Sequence, residues 1–66
     1  MKKELGQGVR CPVCGKYIFE FDFDICDVCE WESDPIQNEN HDYAGGANKM
    51  SVNEAREAYK QGKKVI

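Results

Sequence analysis

The chain has 66 residues, of which 41% are hydrophobic and 32% charged, and its formal net charge at pH 7 is −3. This length excludes more than one ordinary domain, and it argues against a buried substrate cavity, so we expect no enzymatic activity. A chain this short buries only about 60% of the surface that its unfolded form exposes. We therefore expect a stabilising element in addition to an apolar core.

The first predicted segment is a flexible N-terminal tail over residues 1–8. Its sequence, MKKELGQG, has a charged start but lacks the apolar run of a secretory signal. No stretch of the chain approaches 18 apolar residues, so no transmembrane span is expected. We expect a cytoplasmic protein, in which paired cysteines indicate metal or redox sites before disulfides.

All 4 cysteines lie within residues 9–32, which we predict to be the folded nucleus. They form two C-x2-C pairs, Cys11 with Cys14 and Cys26 with Cys29. Two such turns facing each other place four thiolates tetrahedrally, as zinc prefers, and four protein ligands leave no open position. The sequence therefore predicts one structural zinc ion. Iron in a rubredoxin-like electron carrier is the alternative, because a tetrahedral site of four thiolates also suits iron.

The two cysteine turns differ at the residue that follows the second cysteine of each pair. Gly15 can take a positive φ at no steric cost, whereas Glu30, in the matching place, has no such freedom. The second turn is therefore expected to be strained or to have a different shape.

Apolar and acidic residues alternate between Phe19 and Ile25, which predicts a half-buried β segment within residues 17–25. Its apolar side chains are expected to face the core and its acidic side chains the solvent. The segment is predicted either as one strand or as a hairpin folded near Asp22.

Residues 33–48 are rich in turn-forming residues and predict a long loop. His41, the only histidine, is interpreted as a loop residue and not as a fifth metal ligand. Trp31, just before the loop, is expected to pack over the second cysteine turn and the helix that follows.

One α-helix is predicted over residues 51–61. Ser51 can cap its first turn, and Glu54, three residues later, completes a capping box. Val52, Ala55, Ala58 and Tyr59 recur at helical spacing and form the expected buried stripe. Residues 63–66 are predicted to be a C-terminal tail.

The predicted fold is a small metal-stabilised α+β domain over residues 9–62. It has a zinc-ribbon-like or rubredoxin-like β element with two cysteine knuckles, then a long loop and one C-terminal α-helix. Small zinc-binding domains of this kind obtain much of their folding free energy from the metal.

Charge is unevenly distributed along the chain. Residues 17–48 contain nine acidic residues and no lysine or arginine, whereas residues 1–16 and 49–66 each carry a net charge of +3. A nucleic-acid binder normally presents a basic stripe, so this distribution argues against nucleic acid as a partner. An acidic face can attract a basic protein or serve only to keep a small protein in solution.

The predicted function is therefore that of a structural-zinc module that binds another protein, with a basic partner favoured by the acidic face. One alternative is an acidic inhibitor, of the immunity or anti-defence type, that covers a basic nucleic-acid-processing enzyme. The second alternative is electron transfer through bound iron.

Five short motifs carry a resemblance to a known family. In chain order they are Cys11-Pro12-x-Cys14-Gly15, Ile25-Cys26-x-Val28-Cys29-x-Trp31-Glu32, Asp34-Pro35-x-Gln37, Gly45-Gly46-Ala47-Asn48 and Ser51-x-x-Glu54-Ala55-Arg56. Together they resemble the cysteine-rich CPCC domain family of small bacterial and phage-associated proteins. The resemblance implies a zinc-ribbon-like fold and no particular activity. Position 13 is Val13 where the family name has a cysteine, which implies that a cysteine at this position is not an obligatory ligand.

Overall fold

The computed structural model describes residues 9–66, so the predicted tail over residues 1–8 lies outside the described part. Two strands and two helices follow one another: β1 (Val9–Arg10), β2 (Ile18–Phe19), α1 (Pro35–Glu39) and α2 (Val52–Lys60). Among residues 9–66, no helix has the length and apolar character needed to cross a membrane. The antiparallel strand pair, the C-terminal helix and the clustered cysteines agree with the predicted α+β class.

The first cysteine pair lies at the tip of a short hairpin. β1 and β2 are antiparallel, with Val9 opposite Phe19 and Arg10 opposite Ile18. The Cys11 amide donates to the Tyr17 carbonyl at 2.8 Å, and this hydrogen bond closes the base of the loop between the strands.

The second cysteine pair lies at the tip of a similar loop. An antiparallel bridge joins Ile25 to Glu32, and the Cys26 amide donates to the Trp31 carbonyl at 2.9 Å. Farther from the tip, the Phe23 amide donates to the Ser33 carbonyl at 2.7 Å. The two cysteine pairs are thus presented in the same way, each by two antiparallel arms.

The predicted inward alternation over residues 17–25 is wrong. Phe19 is buried, but Phe21, Phe23 and Ile25 are 64%, 51% and 48% exposed. The segment is not one strand, because the chain turns after β2, where the Asp24 amide donates to the Phe21 carbonyl at 3.2 Å. The turn lies near Asp22, as the alternative prediction of a hairpin proposed. Its two arms do not pair with each other, because β2 pairs with β1 and Ile25 pairs with Glu32.

The side chain of Asp24 stabilises this turn. Its carboxylate accepts from the backbone amides of Glu20, at 3.1 Å, and Ile25, at 2.9 Å. Such local bonds from an aspartate offer the backbone an alternative to a strand ladder. The period-two pattern shows only that apolar and acidic residues alternate, and it does not account for these local bonds.

The predicted loop over residues 33–48 contains α1, which the sequence prediction missed. Asp34 caps this helix, since its Oδ1 accepts from the amides of Ile36 at 2.9 Å and Gln37 at 3.4 Å. Pro35 occupies the first turn, where its missing N–H costs no hydrogen bond. Asp-Pro is therefore the sequence feature that could have revealed the helix.

Gln37, on α1, is fully buried and organises the rest of this segment. Its Nε2 lies 3.1 Å from each of the carbonyl oxygens of Tyr43, Asn48 and Met50, and its two N–H groups are shared among these three acceptors. Its Oε1 accepts from the backbone amide of Asn48 at 3.0 Å and from Nδ2 of the same residue at 2.8 Å. One buried amide side chain thus takes the place of regular secondary structure between the two helices.

Asn48 extends this network to the second cysteine loop. Its Oδ1 accepts from the Glu32 amide at 3.0 Å, and its Nδ2 donates to the Glu32 carbonyl at 2.9 Å. Gly46 is required nearby, because a Cβ there would lie 2.6 Å from Asp34 Oδ2 and 2.9 Å from Gln37 Cδ. Residues 33–48 therefore form an organised support for the cysteine loop.

Asp34 makes part of this support dependent on pH. Burial raises the pKa of its carboxyl, but hydrogen bonds from the amides of Ala47, Ile36 and Gln37 outweigh burial, so the pKa lies below its ordinary value. For a group whose pKa is lower in the folded state, the stabilisation is present above the unfolded-state pKa. It is lost as the pH falls through the folded-state pKa.

α2 agrees with the predicted helix within one residue at each end. Both bonds of the predicted capping box are present: the Glu54 amide donates to Ser51 Oγ at 3.1 Å, and the Ser51 amide donates to Glu54 Oε1 at 2.9 Å. Within the predicted stripe, Val52, Ala55 and Ala58 are buried, whereas Tyr59 is only partly buried against the core.

The core gathers side chains from both cysteine loops, from α2 and from the C-terminal end. Its buried apolar residues are Cys11, Phe19, Cys26, Cys29, Trp31, Val52, Ala55, Ala58 and Val65. Val65 is only 5% exposed, and the Lys49 amide donates to the Ile66 carbonyl at 2.6 Å. The predicted tail over residues 63–66 is therefore partly wrong, because its Val65 closes the core.

Replacing Ser51 with alanine is expected to lower the free energy of unfolding by about 1 kcal/mol, because the Glu54 amide loses its acceptor. Denaturant unfolding of the metal-loaded protein measures this change. Ser51→Thr keeps the hydroxyl and is the matched control, with an expected loss of about half that size. Equal unfolding midpoints for the alanine variant and the unmodified protein would show that the cap contributes nothing.

Candidate metal centre

The structure brings together the four cysteines predicted as ligands. The sulfurs of Cys11, Cys14, Cys26 and Cys29 all lie within 4.8 Å of one another. Two sulfur pairs join the two loops, with 3.6 Å between the sulfurs of Cys11 and Cys29 and 3.6 Å between those of Cys14 and Cys26. Cys14 is partly buried, and the other three are buried.

These distances fit one ion held by four sulfurs. A tetrahedral ion with metal–sulfur bonds of about 2.3 Å has neighbouring sulfurs about 3.8 Å apart. A disulfide would need about 2.05 Å between sulfurs, and all four cysteines are free thiols. The donor set and its spacing therefore suit a metal ion.

Backbone amides point at the sulfurs in both loops. Cys14 Sγ accepts from the Lys16 amide at 3.4 Å. Cys26 Sγ accepts from the amides of Val28 and Cys29, each at 3.4 Å. Donors of this kind stabilise thiolates, because they place partial positive charge against the sulfur.

The two cysteine loops have the same backbone shape. The Gly15 amide donates to the Cys11 carbonyl at 2.9 Å, and the Glu30 amide donates to the Cys26 carbonyl at 2.8 Å. The φ angles of Gly15 and Glu30 are 71° and 72°. The second loop was expected to be either strained or different in shape. The positive φ of Glu30 confirms the strain, and the second loop does not differ in shape from the first.

Replacing Glu30 with glycine is expected to raise the free energy of unfolding by about 1 kcal/mol, because a left-handed backbone costs an ordinary residue about 1–2 kcal/mol. Gly15→Ala, at the equivalent position of the first loop, is the matched control and should lower stability by a similar amount. A Cβ at Gly15 meets no atom within 4 Å, so its effect reports the backbone alone. Denaturant unfolding of the metal-loaded variants tests both signs, and a less stable Glu30→Gly protein would contradict the interpretation.

The protein environment acts differently on the individual thiols. Burial raises the pKa of Cys29, and burial also raises that of Cys11. Burial also tends to raise the pKa of Cys26. Hydrogen bonds from the amides of Cys29 and Val28 help to outweigh this effect, so the pKa of Cys26 is lowered. Since thiolates are the metal-binding form, binding at this centre is expected to release protons and to weaken as the pH falls.

Trp31 packs beside the second cysteine loop, as predicted. The residue is fully buried, and its indole Nε1 donates to Asn38 Oδ1 at 2.9 Å. Nδ2 of the same asparagine donates to Ser33 Oγ at 3.0 Å. α1 therefore provides the polar partner that a buried indole N–H requires.

Arg56 connects α2 to the first cysteine loop. Its Nε donates to the Pro12 carbonyl at 2.7 Å, across 44 positions of sequence. Sequence reasoning assigned no role to this arginine, although it belongs to one of the motifs that carry the family resemblance. A single sequence offers no direct sign of such a long-range side-chain contact.

His41 is not part of the metal-binding group found among residues 9–66. Its Nε2 lies 3.0 Å from the Asn38 carbonyl, which agrees with the interpretation of His41 as a loop residue. The centre is therefore described by sulfur ligands alone.

Known proteins were compared with this chain in two ways. A search of curated proteins finds no match. The sequence profile of the family described as "Cysteine-rich CPCC" matches residues 9–62, most of the chain, including both cysteine pairs, both helices and the Gln37–Asn48 network. The resemblance read from the motifs is confirmed, and the chain belongs to the cysteine-rich CPCC family.

Proposed function

We propose that this protein is a non-catalytic module, stabilised by one structural zinc ion, that acts by binding another protein. The observation that carries the zinc assignment is the convergence of four cysteine sulfurs within 4.8 Å. Catalytic zinc sites keep one position for water or substrate, whereas a set of four protein sulfurs is closed. Zinc has no redox chemistry, so its role at such a centre is to hold the two loops together.

The exposure of apolar side chains supports the binding role. Three large apolar side chains close together in sequence, Phe21, Phe23 and Ile25, are about half exposed or more. Several large exposed apolar side chains in one short segment are a feature of interaction sites. A metal centre that fixes the second cysteine loop would also fix the position of these side chains, because Cys26 directly follows Ile25.

Elemental analysis and affinity capture together test this function. Protein purified without added metal is expected to be colourless and to contain one zinc ion per chain. Stoichiometric iron with visible absorption would instead support electron transfer and overturn the zinc assignment.

The binding role is tested with zinc-loaded protein as bait in a cell extract. Metal-free protein is the matched control, since it has the same composition without the fold. We expect a protein that is retained by the zinc-loaded bait and lost with the metal-free bait. Retention of the same proteins by both baits would contradict a folded binding module.

A further inference from the structure

The turn that follows β2 presents an unusual combination of side chains to solvent. We call residues 20–25 the acidic turn. Phe21 is 64% exposed, Phe23 is 51% exposed and Ile25 is 48% exposed. Glu20 and Asp22, which alternate with the two phenylalanines, are also exposed. The carboxylate of Asp24 is instead used inside the turn, where it accepts backbone bonds.

Phe23 is held in a backbone conformation that its side chain disfavours. Its φ angle is 66°, and for a bulky residue a positive φ is an outlier. The conformation is maintained by the bond from the Phe23 amide to the Ser33 carbonyl at 2.7 Å and by the 3.2 Å bond across the turn. The strained backbone therefore costs stability, and the half-exposed ring offsets less of that cost than a buried ring would. Strain of this kind is concentrated at functional sites.

Charge decides which partner chemistry fits the acidic turn. Residues 17–48 carry nine acidic residues and no lysine or arginine. Nucleic acid and anionic lipid surfaces would be repelled. A second copy that used the same surface about a two-fold axis would bring like charges together. A polypeptide with lysine or arginine beside apolar residues satisfies both the charges and the exposed rings.

We infer that the acidic turn is a docking surface for a basic, apolar segment of a partner protein. Phe21 and Phe23 are the apolar anchors, and Glu20 and Asp22 face the basic side chains of the partner. Aromatic residues commonly contribute most of the binding free energy, whereas charges at the rim mainly guide association. This inference rests on the proposed function, because it names the surface and the partner chemistry of the binding module.

Nuclear magnetic resonance titration of zinc-loaded, nitrogen-15-labelled protein tests the inference directly. The probe is a synthetic peptide of alternating lysine and leucine, with two matched peptides in which glutamate replaces lysine or serine replaces leucine. We expect saturable shifts centred on residues 20–25 with the lysine–leucine peptide and much weaker effects with both controls. Raising the salt concentration from about 50 mM to about 500 mM should weaken binding, because it screens exposed charges.

Two variants separate loss of binding from loss of folding. Phe21→Ser and Phe23→Gly should each weaken peptide binding by at least about tenfold, as expected for an anchor residue. Phe23→Gly should also make the protein more stable, because glycine relieves the positive φ. Ile66→Ser is the matched control: Ile66 is 49% exposed but lies at the C-terminal end, and its loss should change affinity less than about twofold.

Several results would overturn the inference. Equal binding of the glutamate peptide, or shifts confined to residues outside the turn, would show that the surface is wrong. A dimer in sedimentation that Phe21→Ser dissociates would identify a second copy as the occupant, and binding to anionic vesicles would identify a membrane. If the Phe21→Ser and Phe23→Gly baits still capture the partner, the docking surface is wrong while the proposed function stands. If the unmodified zinc-loaded bait captures nothing, the proposed function itself fails.

Discussion

Replacing Cys26 with serine is expected to unfold the domain, and not only to remove its metal. Cys26 is fully buried, lies in the core and contributes one of the four clustered sulfurs. Structural zinc provides an apparent stabilisation of about 10–16 kcal/mol in small peptides. That range is as large as the whole stability of an ordinary domain, about 5–15 kcal/mol. A two-dimensional amide spectrum of the variant should show poor dispersion, and elemental analysis should show loss of the ion.

The control for this experiment is His41→Ala, which removes a potential metal-binding side chain that lies outside the sulfur group. This variant should keep both its metal and its dispersed spectrum. A dispersed spectrum from metal-free Cys26→Ser protein would show that the fold does not depend on the centre. Loss of metal from the His41 variant would show that the ligand set is wrong.

Replacing Gln37 with leucine is expected to lower the free energy of unfolding by at least about 3 kcal/mol, while the cysteines stay intact. Leucine has a similar volume but cannot donate to the carbonyls of Tyr43, Asn48 and Met50. It also removes the acceptor of two Asn48 N–H groups. Each buried polar group left without a partner costs about 1–3 kcal/mol. Denaturant unfolding of the zinc-loaded protein measures the loss.

Gln61→Leu is the matched substitution for this comparison. Gln61 is exposed at the end of α2, where its Nε2 donates to Glu57 at 2.8 Å. Its replacement should change stability by less than about 0.5 kcal/mol. Similar losses at the two glutamines would mean that the buried network does not support the fold.

Local patterns predicted well those parts of the structure that depend on near neighbours in sequence. Each cysteine pair and the Ser51–Glu54 capping box act over three residues, and the preference of a metal ion for four sulfurs predicted that the two pairs meet. The matching positions of Gly15 and Glu30 predicted a second turn that is either strained or different in shape, and the positive φ of Glu30 corresponds to the first alternative.

The parts that sequence reasoning missed depend on single side chains that act at a distance or against a pattern. The hydrophobic period favoured a strand through Phe21 and Phe23, but the chain turns there, and the Asp24 carboxylate accepts backbone bonds within the turn. Gln37 and Asn48 are polar residues in a segment rich in turn formers, and nothing local indicates that both are buried. Polar residues that replace secondary structure are the hardest case for pattern reasoning, because periodicity describes only apolar faces.

The burial of Val65 has a consequence for turnover of the protein. A variant that lacks residues 65 and 66 would lose a core side chain and would leave the Lys49 amide without its carbonyl acceptor. Molecules of that variant would open more often and would be degraded faster than intact ones.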